Sequence, residues 1–181
     1  MKRVAVLLAE GFEEVEAVTP IDFLRRSGVD VVTAGVASSR VKGSHSITVD
    51  ADTRIEELPA DLDGVILPGG TVGANNLAKS GAVADLVKRM YGEGKLVAAI
   101  CAAPAKVLAP TGILRGKRAT CYPGLETELA GSDFRSDRVV RDGNIITSRG
   151  AGTAGEFAVE LVRYLAGEEA AERLKAAVLQ Q

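Results

Sequence analysis

The stretch Leu96-Val97-Ala98-Ala99-Ile100-Cys101-Ala102-Ala103-Pro104 decides how this chain is read. Its first five residues are apolar with no polar alternation, the pattern of a strand covered on both faces and so central in a parallel sheet. Cys101 stands directly behind that strand. Alanines on either side leave room for close backbone approach, and Pro104 suits the first turn of a helix, where a missing amide costs little. A strand turning sharply into a helix exposes the side chain at the junction and gathers successive amides around it, the logic of a nucleophile elbow. A thiolate at a helix N-terminus gains amide hydrogen bonds and a favourable dipole, which lower its pKa. The stretch therefore predicts a reactive Cys101, against the competing reading of an inert core cysteine.

Working outward, strand candidates at 4–8, 29–34 and 64–67 alternate with helical patterns at 13–27 and 82–91. That alternation predicts an α/β fold of crossover units around a mostly parallel central sheet. Val83, Leu86, Val87 and Met90 share one face of the second helix. Thr153 and Glu156 match a capping box ahead of Phe157, Leu161 and Val162, Gly167 breaks that helix, and Leu174 and Val178 mark a short last one. Gly143 suits a hairpin turn between Val139-Val140 and Ile145-Ile146. The polar excursion 38–52 predicts short edge strands around Ile47 and Val49. With no linker, repeat or low-complexity tract, residues 1–181 read as a single domain.

The 22 Lys and Arg against 24 Asp and Glu leave a net charge of -2, no electrostatic footprint for nucleic acid or an anionic membrane. The first apolar run is too short for a signal sequence, and no stretch approaches the roughly 20 residues that cross a bilayer. A cytoplasmic location is the expectation. Two cysteines, Cys101 and Cys121, are too few for a disulfide scaffold.

Two further stretches follow strands. Glu10-Gly11-Phe12-Glu13-Glu14-Val15-Glu16 lies beyond the first, where ligands of open sheets sit, although three acidic residues also suit solvent. Glu16 can point inward. If a helix already runs through it, Pro20 cannot donate to its carbonyl; if the helix starts at Thr19, Thr19 caps and Pro20 takes the first position. Leu67-Pro68-Gly69-Gly70-Thr71 lacks both the GxGxxG order and a Walker ending, so no nucleotide is assigned. An oxyanion hole built from an amide of the glycine turn and one after Cys101 is its functional reading, a structural turn its rival. His45 is the only histidine and no zinc spacing exists, so neither metal nor cofactor is expected, and His45 reads as a surface or edge residue. Cys121 and Tyr122 either line the crevice or pack the core.

With Thr147-Ser148-Arg149-Gly150-Ala151-Gly152-Thr153, these motifs resemble the ThiJ/PfpI superfamily, especially the branch of the Parkinsonism-associated protein deglycase and its bacterial relatives. The resemblance runs nearly end to end. It implies a flavodoxin-like three-layer sandwich, a homodimer, Cys101 as elbow nucleophile, Glu16 as the carboxylic acid beside it, and Gly70 and Ala102 as oxyanion amides. Arg149 and Ala151 become candidates for the pocket lining. Many family members carry a histidine where this chain has Tyr122, so a Cys-His protease is disfavoured. The activity implied is a cofactor-independent glyoxalase or deglycase acting on small α-oxoaldehydes or glycated adducts through a Cys101 hemithioacetal. An oxidation-responsive stress protein or holdase using Cys101 as sensor is the alternative; another hydrolase or a thiamine-linked role has less behind it.

Overall fold

Strand β1 (Arg3–Leu8) sends Val4, Val6 and Leu8 to one apolar core and Ala5 and Leu7 to another, the two-residue period of a sheet covered on both faces. The computed structural model describes residues 1–180; Gln181, the end of the predicted single domain, lies outside the described residues. Helix α1 (Glu14–Arg26) leads to β2 (Asp30–Gly35), a ribbon of β3 (Arg40–Lys42) and β4 (Thr48–Asp50), and the short β5 (Thr53–Arg54). Then come β6 (Gly64–Leu67), α2 (Thr71–Ala78), α3 (Gly81–Gly92) and β7 (Leu96–Ile100). A π-helical turn, Pro104–Leu108, runs into α4 (Ala109–Thr111). The rest is β8 (Arg118–Ala119), β9 (Asp133–Phe134), β10 (Val139–Asp142), β11 (Ile145–Ser148), α5 (Ala154–Ala166) and α6 (Glu168–Val178).

The main sheet runs β10-β11-β7-β6-β1-β2-β5, parallel throughout except for the β10–β11 hairpin, whose turn places Gly143 at φ 61°. Its core order β2-β1-β6-β7-β11 is the flavodoxin-like arrangement, and the order reverses between β1 and β6. Every residue of β7 is buried, as its unbroken apolar run predicts. Phe157, Leu161 and Val162 of α5 cover one face beside Leu24 of α1; Val83, Leu86, Val87 and Met90 of α3 cover the other. Helix layers on both faces make the three-layer α/β sandwich.

One local expectation is corrected, one is met in part, and one open choice is decided. Helix α5 has no side-chain cap: the Thr153 hydroxyl accepts from Gly150 N at 3.1 Å and sits 2.6 Å from Ser148 Oγ, so it ties the preceding loop instead of the helix end. The 38–52 excursion does form short strands, with Val49 in β4, but β3 and β4 pair only with each other and not with the edge of the main sheet, and Ile47 is exposed just before β4. Helix α1 takes the first of its two alternatives, running through Glu16 with Pro20 inside it. Pro20 has no N–H to donate to the Glu16 carbonyl, yet the buried face of the helix keeps it continuous.

Phe157 is fully buried against the sheet, on the face away from α3. Phe157→Ala should destabilise by about 3–5 kcal/mol, seen as a lower denaturant midpoint with an unchanged slope; a shift under about 1 kcal/mol would mean the core closes over the gap.

Candidate active site

The carboxyl ends of β1, β6 and β7 bring together the loops after Leu8, Leu67 and Ile100 beside the topological switch. Cys101 adopts φ 66°, a left-handed conformation that is strained for a residue with a side chain. Both of its backbone groups are held: its N–H donates to Ser148 O at 2.9 Å and its carbonyl accepts from Tyr122 N at 2.8 Å. The strand cannot continue through such a residue, so the chain turns into the π-helical turn and the sulfur is left at the junction. The nearby amides of Gly70 and Ala102 act to lower the pKa of that sulfur.

Glu16 reaches the same point from α1. Glu16 is 1% exposed, and its Oε2 accepts from Gly69 N at 2.9 Å beside the Cys101 side chain. Gly69 cannot carry a side chain here, because a Cβ would stand 2.5 Å from Cys101 Cβ and 2.6 Å from Glu16 Oε2. Gly70, at φ 88°, would drive a Cβ to 2.5 Å from Gly11 O. Glu13 N donates to Gly69 O at 3.0 Å, which ties the acidic loop to the glycine turn. Behind Glu16, Gly150 leaves a gap that a Cβ would fill at 3.4 Å from the Tyr122 ring and 4.0 Å from Glu16 Oε1.

Burial pushes Glu16 up to about 7, against the opposing hydrogen bonds of Cys101 and Gly69. Burial, followed by the charge of Glu16, pushes the Cys101 thiol up to about 12, and the Gly70 and Ala102 amides only partly offset this. Desolvation and the adjacent carboxylate thus act against the resting thiolate expected from the helix terminus, while the amides act for it. Cys101 and Glu16 form one coupled pair.

A cavity of about 730 Å³ opens over this pair. Tyr122 and Ala151 line it, with Tyr122 about half exposed at the lip. Cys121 takes the second of its two readings and not the wall position: it is fully buried in the α3-side core. Arg149 also stands off the wall, donating to Ser136 O at 3.0 Å beside the Phe134 ring. The wall contains residues that the sequence reading passed over: Glu13, Ser44, Asn75, Lys106 and Leu125, together with His45, which had been weighed as a surface residue. They come from segments remote in sequence, with Asn75 on α2 and Lys106 on the π-helical turn, so no single periodicity marks their shared surface.

His45 is exposed, with Nδ1 3.1 Å from Glu14 Oε2. Glu14 is 5% exposed; its carboxylate accepts from His45 N at 2.7 Å, Ser44 Oγ at 3.1 Å and Ile47 N at 3.4 Å. Burial alone would raise it, but these hydrogen bonds hold it down at about 2. Among the described residues, Glu13, Glu14 and His45 are the one group with metal-ligand atoms within 4.8 Å of one another, and those atoms are engaged with each other and with the loop amides. No helix among the described residues is long and apolar enough to cross a membrane.

Fold and site together define a flavodoxin-like α/β protein with a cysteine on an elbow and a buried carboxyl beside it. Comparison with known proteins agrees: the sequence profile of the DJ-1/PfpI family matches residues 2–164, and the chain belongs to that family. It is 41% identical over 184 residues to the Parkinson disease protein 7 homolog of Danio rerio, covering 98% of this chain and 97% of that protein. It is 37% identical over 166 residues to a deglycase of Pyrococcus abyssi, covering 90% of this chain and 99% of that one. The structure of a cysteine-to-alanine variant of a DJ-1 superfamily protein from Salmonella typhimurium superposes with a TM-score of 0.96 at 38% identity, covering 100% of both chains.

The raised acid has a thermodynamic consequence. Its folded pKa of about 7 lies above the ordinary 4.5, so the neutral carboxyl's contribution to stability is complete below 4.5 and lost as pH rises through 7. Glu16→Gln, neutral at every pH and still able to accept from Gly69 N, should stabilise the fold at pH 8 by up to about 3 kcal/mol and by little at pH 4. Thermal melts at the two pH values check this; equal shifts at both would contradict the assignment.

Proposed function

We propose that the protein is a cofactor-independent, thiol-dependent glyoxalase or deglycase acting on α-oxoaldehydes or their early adducts. The observation that carries this reading is the Cys101–Glu16 contact under the Gly70 and Ala102 amides, with the acid raised to about 7 where it can work as a general base. As Cys101 sulfur attacks the aldehyde carbon, Glu16 takes the thiol proton, so no standing thiolate is required. The carbonyl electron pair moves to oxygen, which the amides stabilise before it is protonated to a hemithioacetal.

Glu16 then removes the proton from the former aldehyde carbon and returns one to the neighbouring ketone carbon. The first carbon is oxidised to a thioester and the second reduced to an alcohol, so no external redox partner enters. Water cleaves the thioester, releasing a 2-hydroxy acid and the Cys101 thiol. If the aldehyde arrived as an adduct, its amine or thiol leaves with a proton. The family's enzymatic character and the name of the archaeal relative support this class of chemistry.

A redox-sensing role draws on the same surroundings, since two amides and a protonated Glu16 would also hold a sulfinate on Cys101. A homodimer belongs to the proposal by family resemblance, and a cytoplasmic setting as the expectation drawn from the sequence.

Methylglyoxal turnover should be abolished in Cys101→Ala and fall at least 100-fold in Glu16→Gln, on the scale of a lost general base. In the wild type it should rise with pH through about 7, as Glu16 ionises. Intact mass should show a Cys101 adduct. Unchanged turnover in C101A would remove the thiol mechanism, and absence of turnover with selective oxidation of Cys101 would favour the sensor.

A further inference from the structure

The two sides of the cavity carry charge differently. On one side Lys106 Nζ holds both carboxylate oxygens of Glu128, at 2.6 and 2.7 Å, so that pair adds no net charge. On the other side Glu13 and His45 line the opening, and His45 Nδ1 lies 3.1 Å from Glu14 and 3.5 Å from Glu13. Glu14 stays ionised throughout the ordinary pH range. The mouth therefore carries the Glu13 carboxylate and an imidazole whose charge depends on pH, with the buried Glu14 carboxylate directly behind the imidazole. Within a cleft walled by protein, such a residual charge acts on anything that approaches the sulfur.

We propose that the rim formed by Glu13, Glu14 and His45 selects the charge of molecules reaching Cys101, favouring cationic and neutral carriers over anionic ones, and that His45 tunes this selection. With His45 protonated, one carboxylate is cancelled; with it neutral, both act. The hydrogen bond to Glu14, then the charges of Glu13 and Glu14, hold His45 above its ordinary 6.5, so its positive charge persists to higher pH before it is lost. The groups that face it are Glu13 and Glu14 from the start of α1 and Ser44 from its own loop. Cys101, Glu16 and the Lys106–Glu128 pair complete the charged lining. Glu16 ionises near 7 and adds to the negative field in the same direction, so the role of His45 is isolated only by substituting it.

For adduct turnover this deepens the aldehyde reading and rests on it: an α-oxoaldehyde carried on an amine-bearing molecule would be taken in preference to one carried on an acid. The field itself is measured without any catalysis. Trimethylammonioethyl and sulfonatoethyl methanethiosulfonates both form a disulfide with Cys101 as methanesulfinate leaves, and they differ in charge. The ratio of their rates, divided by the ratio for a small free thiol, cancels the ionisation of Cys101. Cys101→Ala supplies the background, Cys121 being buried.

At pH 8 the wild-type ratio should favour the cationic reagent by roughly five- to tenfold, the scale of one unit charge several ångströms away in a wet cleft. It should be smaller at pH 6. His45→Asn should exceed the wild type at pH 6 and converge with it above pH 8, while Glu13→Gln should lower the ratio at both. A wild-type ratio equal to that of the free thiol, or an H45N ratio matching the wild type at pH 6, would overturn the proposal. Charge selection without methylglyoxal turnover would sink the enzymatic reading and leave the rim standing; turnover without charge selection would do the reverse.

Discussion

The hydrogen bond from Gly69 N to Glu16 Oε2 is the contact on which the site depends. It joins the loop after β6 to the first turn of α1 at a point where no side chain fits, and that vacancy lets the Cys101 Cβ and the Glu16 carboxyl approach the same backbone. The elbow is pinned independently, by Ser148 and Tyr122 on its two backbone groups. Parallel strand order does the rest: β1, β6 and β7 end together at the same edge, so residues far apart in sequence meet without a dedicated scaffold.

The price of this arrangement is desolvation. A carboxyl with 1% exposure beside a partly buried thiol cannot readily ionise, and once charged it makes ionisation of the thiol harder still. What looks unfavourable for a resting thiolate suits concerted chemistry, because the acid becomes a base of neutral strength in contact with the proton it must move. Glu14, two residues earlier, lies less deeply and is driven the opposite way by its own amide, the His45 side chain and the loop amides. Two carboxyls of one helix turn thus differ by depth and by hydrogen-bond donors: Glu16 sits beside the thiol, while Glu14 anchors the 43–47 loop that forms part of the cavity wall.

Much of the fold was legible because its signals are local and periodic. The unbroken apolar run of β7, the spacing of Val83, Leu86, Val87 and Met90, and the turn at Gly143 each predict the element that forms. The Cys101 elbow was legible from its alanines and Pro104. Thr153 misled as a helix cap because a nearer acceptor and donor, in the 148–150 loop, compete for its hydroxyl. Glu16 stood undecided on residues alone, since Pro20 permits two helix starts, and only the family motif singled it out. His45 reads from sequence only as a surface or edge residue, and Lys106 carries no mark as a wall residue; their place in the wall depends on the ribbon of β3 and β4 and on the turn after β7.

The account turns on the ionisation of one side chain. A carbon-13 titration of the Glu16 carboxyl in selectively labelled protein measures it directly. A midpoint near 7, moving when Cys101 is replaced by alanine, is the result required of a buried acid coupled to that thiol. A midpoint near 4.5, indifferent to Cys101, would leave Glu16 an ordinary carboxylate and contradict the mechanism.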